Sequence, residues 1–301
     1  MPRRADIWRI GVVDAPVAQI AAQGLELAAI RWLPTGRPFT FLADPFGLWR
    51  DGRLFVFAEA YDYRTRHGVI DCLELDADLR VADRRTVLAE PWHLSYPFVF
   101  EADGDTWMAP EAHRSGGLTL YRASAFPDRW APATRLELDT PAIDPTVFRH
   151  GGLWWIAYAP DGPQSAKQGR LHLAYADSIV GPWRTHPGNP VRIDRASSRP
   201  GGPPFLADGQ LMLPVQDCTK SYGGALRLLH IHVLTPDRFE ADAGPAIRAP
   251  TSAKEFRDGL HTLSACGNHT LIDVKRIDRS PSGWAIDLGR TLGVWRRGAA
   301  P

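Results

Sequence analysis

Apolar residues in this chain occur in short runs that end at Gly, Pro or Asp, which is typical of strands joined by tight turns. In residues 171–176 the apolar side chains Leu171, Leu173 and Tyr175 recur at every second position. A period of two predicts a half-buried strand. The chain also contains 11 Trp, 27 Gly and 26 Pro. Because each Pro inside a helix costs about 3 kcal/mol, this composition favours an all-β protein.

A repeat of about fifty residues organises these runs. In its first three copies a turn glycine follows Pro45, Pro97 or Pro145 by seven positions, with an apolar run on each side. Weaker copies lie at 203–216 and 259–273. A third strand is predicted after most copies, at 69–75, 118–123, 171–176 and 226–233. The repeat predicts an all-β, five-bladed β-propeller with three to four antiparallel strands per blade; a β-sandwich is the alternative.

We expect one domain over residues 1–301, because no linker-like stretch divides the chain. The predicted blades start near residues 41, 94, 142, 197 and 258. Residues 1–40 are predicted to form an N-terminal strand, at 8–13, followed by a short helix or a loop. We expect this strand to close the ring against a C-terminal strand such as 284–288.

Charge and cysteine content limit the partners and the location. Lys and Arg total 35 against 34 Asp and Glu, a formal net charge of +1, which argues against a nucleic-acid partner. No run approaches the ~20 apolar residues of a membrane span. The three cysteines show neither metal-ligand nor disulfide spacing, which indicates a reducing compartment. We therefore expect a cytoplasmic protein.

Equivalent positions of the repeat indicate where a site would lie. The first strand of every propeller blade lines the central channel, so matching residues converge there. The first matching position holds Asp44, Tyr96, Asp144, Gly202 and Leu260. The second holds Glu59, Glu111, Ala159, Gln216 and Val274. A proline after an aspartate is expected to keep that aspartate extended and to aim both acids in the same way.

Further candidates stand at the entrances of the blades. His93 precedes Tyr96 at the second blade, and His261 opens the fifth. Arg199, at the fourth, either binds a carboxylate or phosphate of a ligand or is a buried partner of Asp44 or Asp144. Glu59 and Glu111 either face the channel or pair with arginines outside it. No histidine–cysteine cluster has zinc spacing. Four other histidines are predicted to be ordinary strand residues: His113, His172, His230 and His232.

These residues resemble two known families. Asp44-Pro45, Asp144-Pro145 and residues 181–190 resemble the five-bladed propellers of glycoside hydrolase family 43. Four other segments resemble more closely the N-terminal domain of glucosamine inositolphosphorylceramide transferase, which also has bacterial stand-alone forms. They are residues 92–100 (WHLSYPFVF), 110–111 (PE), 199–202 (RPGG) and 216–218 (QDC). The resemblance covers about residues 40–275.

The resemblance to the hydrolases implies an inverting mechanism. Asp44 would be the general base on water, Asp144 would tune the pKa of the acid and hold the sugar, and a separate Glu would protonate the leaving oxygen. In the hydrolases that Glu opens the fourth blade, where this chain carries Arg199. Either Glu111 or Glu59 then supplies the proton from another blade, or the hydrolase chemistry is absent. Of the two we favour Glu111.

We favour a carbohydrate-active enzyme that acts on a glycosidic bond in the central channel. Seven further residues are expected to bind the substrate: Glu59, His93, Tyr96, Arg199, Gln216, Asp217 and His261. The expected partner is a carbohydrate or a glycolipid. Related propellers often hold a central ion, so the resemblance also allows a cation such as calcium near His261, and no other cofactor is expected.

Two alternatives stay open. One is a non-catalytic glycan- or glycolipid-binding module, or a glycosyltransferase-associated domain, that serves polysaccharide or glycolipid synthesis. The resemblance supports it, because the plant transferase carries its glycosyltransferase fold in a separate C-terminal domain. The other is a propeller that binds a protein and has a purely structural channel.

Overall fold

The first strand of the chain belongs to the last blade of the fold. The computed structural model describes residues 5–294, and β1 (Ala5–Val13) is its first element. A seven-residue helix, α1 (Val17–Gln23), follows, and β2 (Ile30–Trp32) then pairs antiparallel with β1. The segment predicted as a helix or a loop is thus a short helix with turns on both sides.

Two four-stranded antiparallel sheets come next. The first blade contains β3 (Thr40–Arg50), β4 (Arg53–Asp62), β5 (His67–Leu75) and β6 (Val81–Leu88). The second contains β7 (Ser95–Ala102), β8 (Asp105–Glu111), β9 (Leu118–Ala125) and β10 (Arg129–Leu136). A 3-10 turn at His113–Ser115 connects β8 to β9.

The third and fourth blades each have one strand broken in two. The third contains β11 (Ala142–His150), β12 (Leu153–Pro160), helix α2 (Gln164–Gly169), β13 (Arg170–Ala176), β14 (Arg184–Thr185) and β15 (Arg192–Ile193). The fourth contains β16 (Arg199–Pro200), β17 (Phe205–Ala207), β18 (Gln210–Asp217), β19 (Ala225–Thr235) and β20 (Arg238–Ala243). In the fourth blade β16 and β17 both pair with β18, so residues 201–204 interrupt the innermost strand.

The fifth blade joins the first and the last strands of the described chain. After a 3-10 turn (Thr251–Ala253) come β21 (Gly259–Cys266) and β22 (His269–Asp278), and the sheet order is β2-β1-β22-β21. All nine residues of β1 pair with β22. The five antiparallel sheets form a five-bladed β-propeller, which confirms the predicted fold class.

The predicted partner of the closing strand was wrong. Residues 284–288 lie in helix α3 (Ser282–Thr291), which begins after Pro281. Trp284 and Leu288 are four residues apart, which places both on one side of a helix. No helix between residues 5 and 294 combines the length and the hydrophobicity that crossing a membrane requires.

The core lies between neighbouring blades as separate layers of buried side chains. Phe46, Phe57 and Phe98 belong to the layer shared by the first three blades. Ile10 and Leu54 belong to the layer between the fifth blade and the first. Because β1 supplies residues such as Ile10 to this layer, closing the ring also buries apolar surface.

In each of the first three blades, the first strand contains a β-bulge that faces the central channel. In the first blade Ala43 pairs with Glu59 and Phe46 with Phe57, which leaves one extra residue on β3. The second and third blades repeat the bulge. Asp44, Tyr96 and Asp144 sit in it with φ of 51°, 44° and 49°. The aspartates are therefore left-handed and not extended, because the bulge, more than the following proline, sets their backbone.

Glycine permits a close backbone approach between the fourth and fifth blades. Gly202 has φ of 146°, and a Cβ built on it would lie 2.0 Å from the Leu263 carbonyl oxygen. Next to it, the Leu263 N–H donates to the Gly201 carbonyl at 2.8 Å. Only a residue without a side chain fits this contact.

We predict that Gly202→Ala destabilises the protein by at least ~3 kcal/mol, because it adds a backbone clash to a disfavoured φ. The matched control is Gly209→Ala, since Gly209 has φ of 76° with nothing within 4 Å of a built Cβ. The control should cost ~1–2 kcal/mol. Urea unfolding of both variants measures the difference, and equal midpoints would contradict this account of the contact.

Candidate active site in the central cavity

A cavity of about 440 Å³ opens at the end of the channel where the bulges lie. Seven of the ten predicted site residues line it: Asp44, Glu59, His93, Glu111, Asp144, Arg199 and His261. They come from all five blades or their entrances. The presence of this cleft argues against a channel that is only structural.

Three predicted site residues do not line the cavity. Tyr96 is fully buried, and its hydroxyl lies 2.8 Å from Thr146 Oγ1. Gln216 Nε2 donates to Asp144 Oδ2 at 2.7 Å and thereby supports that carboxylate from behind. Asp217 faces away from the channel, where its carboxylate accepts hydrogen bonds from Thr219 and from Arg227 Nε at 3.0 Å.

Arg199 and Asp144 form a buried two-point ion pair. Arg199 Nε lies 2.7 Å from Asp144 Oδ2, and Nη2 lies 3.1 Å from Oδ1. Burial disfavours the charged guanidinium, but Asp144, Tyr222 and Glu111 together outweigh burial and raise the pKa of Arg199 above its usual value. Of the two roles open for Arg199, the structure shows the partner of Asp144.

Glu111 is held in its ionised form. Its Oε1 lies 2.7 Å from His113 Nδ1, and its Oε2 lies 3.9 Å from Arg199 Nη2. Burial alone would raise the pKa of Glu111, but the hydrogen bond with His113 and the charge of Arg199 lower it to about 2. A general acid must carry a proton at the working pH. The structure therefore argues against Glu111 as the acid.

Glu59 has the opposite environment. Burial, together with the charges of Asp44 and Glu111, raises the pKa of Glu59 well above its usual value. Its Oε1 lies 3.4 Å from His93 Nε2, and burial lowers the pKa of His93 to about 4, so this histidine is neutral. No cation in the described range forms an ion pair with Glu59 to oppose the shift. Burial also raises the pKa of Asp144, although the charge of Arg199 opposes this. Because Asp144 has that cation beside it and Glu59 has none, Glu59 is the carboxyl of the cavity that most favours its proton.

Asp44 belongs to a chain of three groups. Asp273 Oδ1 lies 2.7 Å from His261 Nδ1, and His261 Nε2 lies 3.4 Å from Asp44 Oδ1. The His261 ring stacks on Trp8, with centroids 3.6 Å apart. Burial raises the pKa of Asp44 to about 6, although the charge of His261 opposes this. Burial also disfavours the imidazolium, but Asp273 and Asp44 raise the pKa of His261.

The strand pairing in the fifth blade moves the first matching position of the repeat by one residue, from Leu260 to His261. Leu260 pairs with Val274 and Thr262 with Asp273, so the extra residue of this bulge is His261 and not Leu260. His261 therefore occupies the position that Asp44 holds in the first blade. Asp273 was not among the predicted site residues, although it directly precedes Val274, which holds the second matching position of the repeat in the fifth blade.

His113 was also misjudged. It lies in the 3-10 turn after β8 and lines the cavity, so it is not an ordinary strand residue. The aromatic side of the cavity was missed as well; it consists of Trp8, Phe41, Tyr61, Tyr63 and Tyr222. Trp8 comes from the closing strand, so its place here depends on the pairing of β1 with β22.

The suggested calcium finds no suitable ligand set here. Asp44, His261 and Asp273 are the one described group with metal-ligand spacing, within 4.8 Å of one another. Their carboxylate oxygens already accept hydrogen bonds, from the N–H groups of Thr262, Asp44 and Tyr96 and from the Thr262 hydroxyl. Calcium takes six to eight oxygen ligands. The group therefore fits a hydrogen-bonded histidine better than a calcium ion.

Comparison with known proteins finds one matching family. The family model described as glucosamine inositolphosphorylceramide transferase 1, N-terminal, matches residues 16–284. The chain is 33% identical over 247 residues to glucosamine inositolphosphorylceramide transferase 1 of Arabidopsis thaliana and 36% identical over 258 residues to that of Oryza sativa subsp. indica. These matches cover 81% and 82% of the chain but only 31% and 34% of the relatives. The chain thus spans about a third of their length.

Solved structures of glycoside hydrolases have a similar fold. Zg3597, a family 117 enzyme of Zobellia galactanivorans, has a TM-score of 0.56 at 11% identity and covers 92% of each chain. The catalytic domain of the Coprinopsis cinerea GH62 α-L-arabinofuranosidase has a TM-score of 0.55 at 13% identity, over 80% of this chain and 92% of that one. At such identities the likeness establishes the propeller fold alone.

We predict that Arg199→Met destabilises the protein by ~3–5 kcal/mol, because it leaves Asp144 buried without its cation. Adding Asp144→Asn should recover most of the loss. The matched control is Arg238→Met, which removes an exposed pair with Glu240 and should cost less than ~1 kcal/mol. Urea unfolding measures all three, and equal losses for Arg199→Met and Arg238→Met would contradict the importance of the buried pair.

Proposed function

This chain belongs to the family of the N-terminal region of glucosamine inositolphosphorylceramide transferase 1, and from this premise we propose that its central cavity binds a carbohydrate and acts on a glycosidic bond. The observation that carries the proposal is the contrast between two carboxyl groups in one cavity. Burial raises the pKa of Glu59 well above its usual value, while it raises the pKa of Asp44 only to about 6. Groups whose pKa values are set by different environments can divide acid and base roles.

Family membership supports a carbohydrate ligand without deciding the reaction. The relatives are named as transferases with a sugar, glucosamine, and a lipid, inositolphosphorylceramide, in the name, and they are about three times as long as the match. The hydrolase likeness supports a cavity built on the same scaffold. A sugar, a polysaccharide end or a glycolipid headgroup all fit this class of ligand.

In the proposed reaction Glu59 gives its proton to the glycosidic oxygen as the bond from that oxygen to the anomeric carbon breaks. Asp44 takes a proton from the water, or from the acceptor hydroxyl, that attacks the anomeric carbon. Asp273, acting through His261, orients Asp44 and is a positioning residue. Asp144, held at two points by Arg199, lines the cavity and offers the sugar a fixed polar contact.

One observation favours the second candidate, a binding module without turnover. In the hydrolases that the chain resembles, the acid opens the fourth blade, and Arg199 holds that place here with its guanidinium committed to Asp144. Under this alternative the cavity binds a glycan or a glycolipid headgroup with the same residues, and no bond is broken.

We predict that Glu59→Gln abolishes release of sugar from a natural glycoside but spares release from an aryl glycoside with an acidic phenol as leaving group. Such a phenol departs without protonation, so the acid becomes dispensable. Asp44→Asn should abolish both reactions, because water is no longer activated. Mass spectrometry of released sugar from bacterial polysaccharides and from a panel of aryl glycosides provides the measurement.

Glu111→Gln is the matched control, since it removes a carboxylate of the same cavity that carries no proton. Glu111→Gln should change release from the natural glycoside and from the aryl glycoside to the same extent. Replacement of the general acid should abolish only release from the natural glycoside. A substrate-dependent loss in Glu111→Gln, and none in Glu59→Gln, would return the acid role to Glu111. Binding by the unmutated protein without product at any pH would establish the binding module.

The pH profile provides a separate prediction. Because the base must be deprotonated, kcat/KM should rise as the pH increases through about 6, where Asp44 ionises. It should fall again at higher pH, where Glu59 loses the proton that burial makes it keep. With the activated aryl glycoside, Glu59→Gln should lose the falling limb and retain the rising one. A profile that is flat between pH 5 and 7 would exclude Asp44 as the base.

A further inference from the structure

A second cavity, of about 710 Å³, lies at the end of the strands opposite the central cavity. On strand β3, Trp49 follows Asp44 by five residues, which is roughly 17 Å at about 3.3 Å per residue. Strand β22 carries Asp273 and, four residues earlier, His269. The two cavities therefore share their strands but no lining residue. The volume falls in the range of about 300–1,000 Å³ typical of small-molecule sites.

Two indole rings form part of the apolar surface of this distal cavity. Trp49 is 38% exposed, although its Nε1 donates to the Cys266 carbonyl at 3.2 Å and so holds the ring in place. Trp32 lines the other side, with the Arg9 guanidinium 5.7 Å from its ring centre. An exposed indole that is already held in place offers a flat apolar surface, and a ligand that binds to it pays no entropy cost for fixing the side chain.

A histidine beside the Trp49 indole has an unused hydrogen-bonding atom. The His269 ring centre lies 5.5 Å from that of Trp49, and its Nε2 lies 3.6 Å from Asp14 Oδ1. His269 Nδ1 is buried and has no hydrogen-bond partner among residues 5–294. A buried polar atom without a partner destabilises the protein, because it has lost its hydrogen bond to water. A ligand hydroxyl that reached it would remove this cost.

The charges around the distal cavity nearly cancel. Asp14 and Asp78 line it together with Arg31, and Asp78 is already paired with Arg80 at 2.5 Å. The cavity therefore has no large excess of one charge that would attract a strongly charged ligand. The cavity offers instead a mixture of hydrogen-bond donors and acceptors around an indole face.

From this combination we propose that the distal cavity is a second binding site, for the sugar residues of an uncharged oligosaccharide. A pyranose presents an apolar C–H face, which covers an indole, and a rim of hydroxyls, which pair with carboxylate, guanidinium and imidazole groups. The inference goes beyond the proposed function, because it requires no reaction in the central cavity. The distal cavity would hold a glycan chain at a point remote from the acid and base.

The test uses the full chain with ¹⁵N-labelled tryptophan, whose indole N–H signals are assigned by Trp→Phe variants. The probes are the hexasaccharides of glucose (β-1,4 and β-1,3), xylose, mannose and arabinose, at millimolar concentration. At least one should shift the Trp49 and Trp32 signals in a saturable way. Trp8 lines the central cavity, so its signal reports on that site separately.

Trp49→Ala should weaken this binding ~10-fold or more, the equivalent of about 1.4 kcal/mol. The matched control is Trp284→Ala, which removes another exposed indole, on α3, and should leave binding unchanged. Should Trp49→Ala fail to fold, Asp14→Asn at a side chain 74% exposed should weaken binding several-fold. The proposal is overturned if no probe moves Trp49 and Trp32, or if only Trp8 responds. If the unmutated protein released no sugar from any substrate while the Trp49 and Trp32 signals still shifted, the proposed function would be refuted and the distal site would stand.

Discussion

The arrangement of this protein depends on the neutralisation of carboxylates that are buried together at one end of the channel. Five acids meet there: Asp44, Glu59, Glu111, Asp144 and Asp273. Burying that many negative charges is prohibitive unless each is paired, hydrogen-bonded or protonated. The protein uses all three solutions: Arg199 pairs with Asp144, His113 and His261 bond to their neighbours, and Glu59 keeps its proton. The differences in chemistry among the five acids follow from this division.

The same requirement links the site to the closure of the ring. The backbone N–H of Asp44 donates to Asp273 of the fifth blade at 2.8 Å, and the N–H of Tyr96 donates to Asp44 of the first at 3.3 Å. The N–H of Asp144 donates to Glu111 of the second blade at 3.4 Å. Each bulge thus turns an unpaired N–H toward a carboxylate of the preceding blade. Because the bulge frees that N–H from the ladder, the backbone itself stabilises the acids.

Arg199 at the entrance of the fourth blade shifts the proton to another acid. Its charge helps to lower the pKa of Glu111, which therefore cannot donate a proton, and it opposes the rise that burial causes in the pKa of Asp144. Glu59 forms no ion pair with this cation, and burial together with the charges of Asp44 and Glu111 raises its pKa. An acid role would therefore move from the fourth blade to the first on the same scaffold. The distal cavity, at the other end of the strands, is separated from these charges and is lined for uncharged ligands.

The sequence by itself determined the five blades and the general place of the site. Strand alternation, turn glycines and the repeated Asp-Pro step are local features, and their effect depends on neighbours along the chain. The tertiary structure alone decided that β22 receives the closing strand, that His261 fills the bulge of the fifth blade, and that Glu59 and not Glu111 keeps its proton. These outcomes depend on pairs such as Arg199 and Asp144, which are 55 residues apart. The pKa of a buried acid is set by distance and burial in space, which no spacing along the chain records.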